Sequence, residues 1–173
     1  MTLAAGSPLA MAAPTLRRRL ACFCYEGVLL FGVLVPAAYL YSSLTQQRHA
    51  LSGLAGLQFF LFLVLGIYFV WFWARGGQTL AMKTWRIRLA AADGRAVSQA
   101  RAMLRYLCSW IWFVPALAAV HLAGVRSAVV MFAALAVGVL GYAASALLTP
   151  GRQFPHDLLC GTRLQAWPPD ATV

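Results

Sequence analysis

The chain has 173 residues; 62% are hydrophobic, only 10% are charged, and the mean hydropathy is +0.74. Soluble domains carry about 25% charged residues, so these figures exclude a water-soluble monomer and a disordered chain. Four carboxylates also leave little room for paired-acid hydrolase chemistry. The net charge of +10 indicates membrane topology rather than a nucleic-acid partner, because the basic residues lie between apolar runs.

Four apolar runs approach the roughly 20 residues that a helix needs to cross the bilayer. They cover about residues 20–41, 54–74, 107–121 and 127–148. The third is the shortest and contains Pro115, so it is either a short span, paired with the fourth in a helical hairpin, or a re-entrant segment. The predicted fold is an all-α membrane protein with four transmembrane helices.

The rest of the chain divides around these spans. Residues 1–16 are Ala-rich and predicted to be a disordered tail, 17–165 to be the transmembrane domain, and 166–173 to be a C-terminal tail. With four spans, every basic residue except Arg48 and Arg126 falls on the side of the termini. The positive-inside rule therefore predicts a multi-pass protein with both termini in the cytoplasm.

The loop of residues 75–106 carries several local signals. Gly76-Gly77 ends the second span, Thr79 can cap a short helix, and the apolar–basic alternation of 85–89 is typical of a strand. Asp93-Gly94 predicts a turn and Ser98 a second helix cap. We interpret the loop as an interfacial helix and β-hairpin; a dedicated ligand platform is the alternative. The side chains expected to contact anionic lipid headgroups are Lys83, Arg86, Arg88, Arg101 and Arg105.

Glu26 lies inside the first predicted span. It follows Arg19 by seven residues, nearly two helical turns, so both fall on one face with Glu26 about 10 Å deeper. A carboxylate at that depth must be protonated, paired or close to water. Two interpretations stay open: a site that handles a proton or a monovalent cation, and a structural hydrogen bond to a neighbouring helix.

A second polar cluster follows the fourth span, in residues 154–162. Pro155 suits the first turn of a short helix, Asp157 its positive N-terminal end, and Gly161 its termination. With both termini on one side, Asp157 falls at the level of Arg19, and we expect an ion pair between them. The alternative is a functional role, in which His156 relays a proton.

These stretches resemble the RDD family of small bacterial membrane proteins, named for one arginine and two aspartates. The resemblance rests on residues 18–26, on 76–88 with Asp93-Gly94 and the arginines that follow, and on 156–162, in the family's order. It implies that Arg19, or else Arg18, is the family arginine and Asp157 the second aspartate, while Glu26 replaces the first. It also implies a bacterial cytoplasmic (inner) membrane location and, for some members, cation/proton antiport.

The remaining cysteines and histidines do not form a recognisable metal or catalytic motif. Cys22, Cys24, Cys108 and Cys160 form no paired C-x-x-C sites, and the histidines are scattered, so we expect no metal, no cofactor and no enzymatic activity. Small residues spaced four apart in the fourth span permit close packing within the chain or in a homo-oligomer. The leading hypothesis is ion or proton transport through Arg19, Glu26, Asp157 and His156. The alternative is a membrane scaffold or assembly factor whose buried charges are structural.

Overall fold

The computed structural model describes residues 13–46, 53–124 and 127–167. Its helices and strands, in chain order, are α1 (Leu16–Leu44), α2 (Leu54–Arg75), α3 (Leu80–Thr84), β1 (Ile87–Ala91), α4 (Gln99–Ser109), α5 (Val114–Leu122), α6 (Ala128–Ser145), α7 (Pro155–Leu159) and β2 (Thr162–Ala166). Short 3₁₀ turns, Trp110–Trp112 and Pro150–Arg152, precede α5 and α7. Arg48, Arg126 and the predicted tails before residue 13 and after residue 167 lie outside the described residues.

Within the described residues, four helical segments are long and apolar enough to cross a membrane, as predicted. Three are α1, α2 and α6; the fourth is the continuous stretch Gln99–Leu122, in which α4, a 3₁₀ turn and α5 follow one another. Its 24 residues reach about 36 Å, enough for a full span. This segment starts earlier than the predicted apolar run of residues 107–121. The reason is that Gln99–Tyr106 is also helical, although one side of this stretch is polar.

The small elements all lie at one end of the helical bundle, the end at which α1 and α4 begin and α2 and α6 end. We call it the basic end, because Arg19 and Arg75 lie there. Here β1 pairs antiparallel with β2, in a register that sets Leu89 opposite Leu164. The strand predicted in the loop is therefore present, and its partner is the segment that follows α7. This pairing ties the loop after α2 to the last described residues of the chain.

The buried core is concentrated at this basic end. Ile87 and Leu89 of β1, Ala102 of α4 and Phe154 before α7 are all nearly inaccessible. Elsewhere the helices expose large apolar side chains, among them Ile67 at 70%. Helices with apolar outer surfaces, and polar groups gathered at one end of the bundle, are the distribution expected when the spans face lipid.

Two glycines fix how the elements meet. Gly77 adopts φ +70°, and its carbonyl accepts a 2.7 Å hydrogen bond from the Leu89 N–H. A Cβ at Gly77 would lie 2.4 Å from the Leu89 carbonyl oxygen, so only glycine permits this junction. In α6, Gly138 packs on Ala116 of α5, where an added Cβ would lie 3.0 Å from that alanine's Cβ. This small residue serves packing within the chain.

Candidate functional site: two buried carboxylates

Glu26 lies on the side of α1 that faces protein, and its side chain is buried. The Tyr68 hydroxyl of α2 donates to its Oε1 at 2.7 Å, and the Thr79 hydroxyl donates to its Oε2. Thr79 also caps α3 by accepting from the Met82 N–H. Within the described ranges no arginine, lysine or histidine lies within salt-bridge distance of Glu26. This carboxyl is therefore held by two neutral hydroxyls.

Asp157 lies on α7, and its side chain is fully buried. Its Oδ1 accepts from Arg105 Nε of α4 at 2.8 Å and from the Thr162 hydroxyl at 3.3 Å. The Arg105 guanidinium stacks on the Trp73 ring of α2, with its Cζ 4.3 Å from the ring centroid. The ion pair thus joins the third span to the segment after the fourth, and the stacking adds the second span.

The predicted ion pair between Arg19 and Asp157 is wrong. Arg19 donates through Nε to the Pro14 carbonyl at 2.9 Å and through Nη1 to the Arg152 carbonyl at 2.6 Å. Its guanidinium faces the Phe154 ring at 5.2 Å. The prediction matched the two residues by depth alone, and depth does not fix which helices are neighbours. Because α7 packs against α4, the arginine that reaches Asp157 comes from α4.

The prediction that Arg105 contacts lipid headgroups is also wrong, since this residue is buried. The sequence contained a signal for it: Arg105 lies six residues inside the Gln99–Leu122 helix, about 9 Å from its start. An arginine at that depth needs a partner, as Glu26 does. Of the other predicted headgroup contacts, Lys83, Arg86 and Arg101 are exposed. Arg88 is half-buried.

His156 neighbours Asp157 and is buried among aromatic rings. Its Nδ1 accepts from Trp112 Nε1 at 3.2 Å and lies 3.0 Å from the Tyr142 hydroxyl, which also accepts from the His156 N–H. Its Nε2 lies 3.5 Å from Asp157 Oδ1. Burial lowers the pKa of His156 to about 4 against the opposing pull of Asp157. The imidazole is therefore neutral at neutral pH, and its contact with Asp157 is not an ion pair.

The predicted charge network is accordingly three separate groups. Glu26 is bound by hydroxyls, Asp157 by Arg105 beside a neutral His156, and Arg19 by backbone carbonyls. The grouping arises because each acid is buried by a different pair of elements. Glu26 on α1 contacts the turn from α2 to α3, whereas Asp157 on α7 contacts α4.

Sequence reasoning missed the hydroxyl partners of Glu26. It assigned Thr79 only as a helix cap, a role that the structure confirms, and did not assign Tyr68. A signal for Tyr68 was present in the sequence, because its phenol hydroxyl lies well inside the second span, where a polar group needs a partner. No spacing rule could pair it with Glu26, because the two residues are on different helices.

A comparison with protein families identifies the family of this chain. The model of the RDD family matches residues 13–161, most of the chain, including both buried acids and Arg105. The chain belongs to the RDD family. No curated protein and no solved structure matches it. In this RDD protein the matched region runs from the residues preceding α1 to the turn after α7, and β2 follows it directly.

Proposed function

We propose that this RDD protein exchanges a proton for a monovalent cation at Glu26, within a bacterial cytoplasmic membrane. One observation carries the proposal: a buried carboxyl inside a membrane-spanning helix has two hydroxyl partners and, within the described residues, no basic one. A carboxylate in such a site requires a compensating charge, and either a bound proton or a bound cation supplies it.

The same three side chains offer oxygen ligands. The Glu26 carboxylate, the Tyr68 hydroxyl and the Thr79 hydroxyl converge on one place, and oxygen donors of this kind suit hard monovalent cations. When a cation binds the carboxylate, the carboxyl proton leaves; when the proton returns, the cation leaves. One proton for one monovalent cation keeps the buried charge constant in both states.

Access to Glu26 involves the basic end. Thr79 belongs to the turn between α2 and α3, and α3 packs against α1 over this region. A displacement of that turn would make the Glu26 side chain accessible without separating the four spans. Since the described part of one copy has only four spans, we expect alternating access to require a homo-oligomer.

The charge distribution supports an orientation with the basic end in the cytoplasm. Lys83, Arg86 and Arg101 are exposed there, where we expect them to face anionic lipid headgroups. Glu26 would then lie in the cytoplasmic half of the membrane. Introduced cysteines at positions 95 and 163, compared with 48 and 126, test this orientation through their labelling from either side of intact cells.

The transport proposal is tested in proteoliposomes that enclose a pH-sensitive dye. A sodium or potassium gradient should drive a pH change with wild-type protein, Glu26→Gln should abolish it, and Glu26→Asp should retain part of it. Asp93→Asn is the matched control, because Asp93 is an exposed carboxylate that bonds only with Arg95 among its described contacts. Absence of ion-driven flux in the wild type, or equal flux in Glu26→Gln, would overturn the proposal.

A scaffold or assembly role is the second candidate. It is favoured by Arg18 and Arg19, which donate to backbone carbonyls of Trp85, Arg86, Pro14 and Arg152 and so fix the loops to α1. Such contacts stabilise one conformation and move no ion. Co-purification of a stoichiometric partner protein, in amounts that Glu26→Gln leaves unchanged, together with absent flux, would favour this role.

A further inference from the structure

An open groove runs between α2 and α4 on the outside of the bundle. Its volume is about 290 Å³. Its lining includes Phe62, Ile67 and Trp71 from α2 and Gln99, Met103 and Tyr106 from α4. All of these except Gln99 are apolar or aromatic, and Ile67, Trp71 and Met103 are exposed. The groove therefore presents an apolar surface toward the lipid.

A close contact between α2 and α4 forms the floor of this groove. The Tyr106 ring packs against Gly66, where an added Cβ would lie 3.2 Å from the ring, and its hydroxyl donates to the Phe62 carbonyl at 2.7 Å. The absence of a side chain at Gly66 lets the tyrosine lie close to α2, with the depression above it. The groove is thus held by a specific contact between two spans.

A basic side chain stacks on a lining residue at one end of the groove. Arg75 stacks on Trp71, with its Cζ 3.9 Å from the ring centroid, and lies one helical turn beyond it toward the basic end. Gln99 lies at the same end, on the first turn of α4. There the Arg101 N–H is capped by the Ser98 hydroxyl, and the N–H groups of residues 99 and 100 have no partner within the helix. A cation, an amide and helix N–H donors together suit a phosphate.

We propose that this groove binds one anionic phospholipid of the leaflet at the basic end, with its phosphate at Arg75 and an acyl chain along Trp71, Ile67 and Met103. Length supports a lipid over a helix of a second copy. From Phe62 to Trp71 the groove extends about 13 Å, close to the roughly 15 Å depth of one leaflet and half of what a spanning helix would contact. The proposal does not depend on transport at Glu26.

Native mass spectrometry of the detergent-solubilised protein tests this site, with added phosphatidylglycerol or phosphatidylcholine of identical acyl chains. The wild type should bind phosphatidylglycerol preferentially, and Arg75→Gln should weaken that binding about tenfold. Arg17→Gln is the matched control: this arginine is also exposed but lies on the first turn of α1, which contributes no residue to the groove, and its loss should change binding less than twofold.

A second variant probes the apolar part of the site. Met103→Trp fills the groove and should reduce phosphatidylglycerol binding without changing the oligomeric state. Equal losses in Arg75→Gln and Arg17→Gln would indicate only diffuse surface charge and would overturn the proposal. It would also fall if the wild type showed no preference for the anionic lipid. If Met103→Trp dissociated an oligomer and left lipid binding intact, the occupant would be a second copy.

Discussion

Glu26 and Asp157 are both buried acids near the basic end, yet their surroundings differ in charge. Asp157 accepts from a guanidinium that is itself buried and stacked on Trp73. Glu26 accepts from two hydroxyls that can rotate to donate or accept. Asp157 is thus held in an ion pair, whereas Glu26 has two neutral partners and, within the described residues, no basic one. This difference is the reason why the proposed exchange of a proton for a cation is assigned to Glu26 and not to Asp157.

The largest expected effect comes from breaking the pair between Arg105 and Asp157. Asp157→Ala or Arg105→Ala alone leaves a buried charge without its partner and should lower the free energy of unfolding by about 3–5 kcal/mol. The double variant should lose much less than the sum, because neither charge is then left unpaired. Denaturant unfolding of the purified protein in detergent measures the cycle. Additive losses would show that the two side chains do not act as a pair.

The next effect concerns pH and His156. Burial holds its folded-state pKa near 4, below its value in the unfolded chain, so the unfolded chain binds the proton more tightly. Stability should therefore be complete above about pH 6.5 and decline as the pH falls toward 4, with about 2 kcal/mol lost by pH 5. Thermal unfolding between pH 7 and pH 5 measures this decline. His156→Gln should flatten the profile over that interval, and an unchanged slope would contradict the role assigned to His156.

A smaller effect is expected for the other acid. Glu26→Gln strands no cation, and the Tyr68 and Thr79 hydroxyls can reorient toward an amide, so stability should change by about 1 kcal/mol or less in either direction. The same unfolding assay, run beside Asp157→Asn, provides the contrast. If Glu26→Gln destabilised the protein as much as Asp157→Asn, Glu26 would be a structural acid and the distinction between the two sites would collapse.

Much of the fold could be predicted from local patterns. The four spans follow from apolar runs, and Thr79, Ser98 and the Gly76-Gly77 pair mark helix ends where the structure has them. Asp93-Gly94 forms the expected turn, with Gly94 at φ +82°. Each of these signals acts within a few residues of the backbone that it shapes. Such signals are readable from one sequence because their partners are close along the chain.

The contacts of the candidate site were less accessible to sequence reasoning because they join distant segments. Arg105 and Asp157 are 52 residues apart, and Glu26 and Thr79 are 53 apart. Depth along a helix predicted that Glu26 needed a partner, but it could not tell Tyr68 from any other polar residue on a facing helix. The error for Arg19 has the same origin: several arginines share one level of the bundle, and only helix packing decides which of them meets Asp157.

The smallest expected effect belongs to the exposed acid, Asp93. Its Oδ2 pairs with Arg95 Nε at 2.8 Å, and its Oδ1 accepts from the Arg95 N–H at 3.0 Å. These bonds, the backbone one first, lower the pKa of Asp93, but both side chains lie in solvent, which screens the charge. Asp93→Asn retains an oxygen for the backbone bond, so the melting temperature should not change measurably. If Asp93→Asn lowered the stability as much as Asp157→Asn, solvent exposure would not explain which acids matter for stability. The contrast between Glu26 and Asp157 would then rest only on the chemistry of their partners.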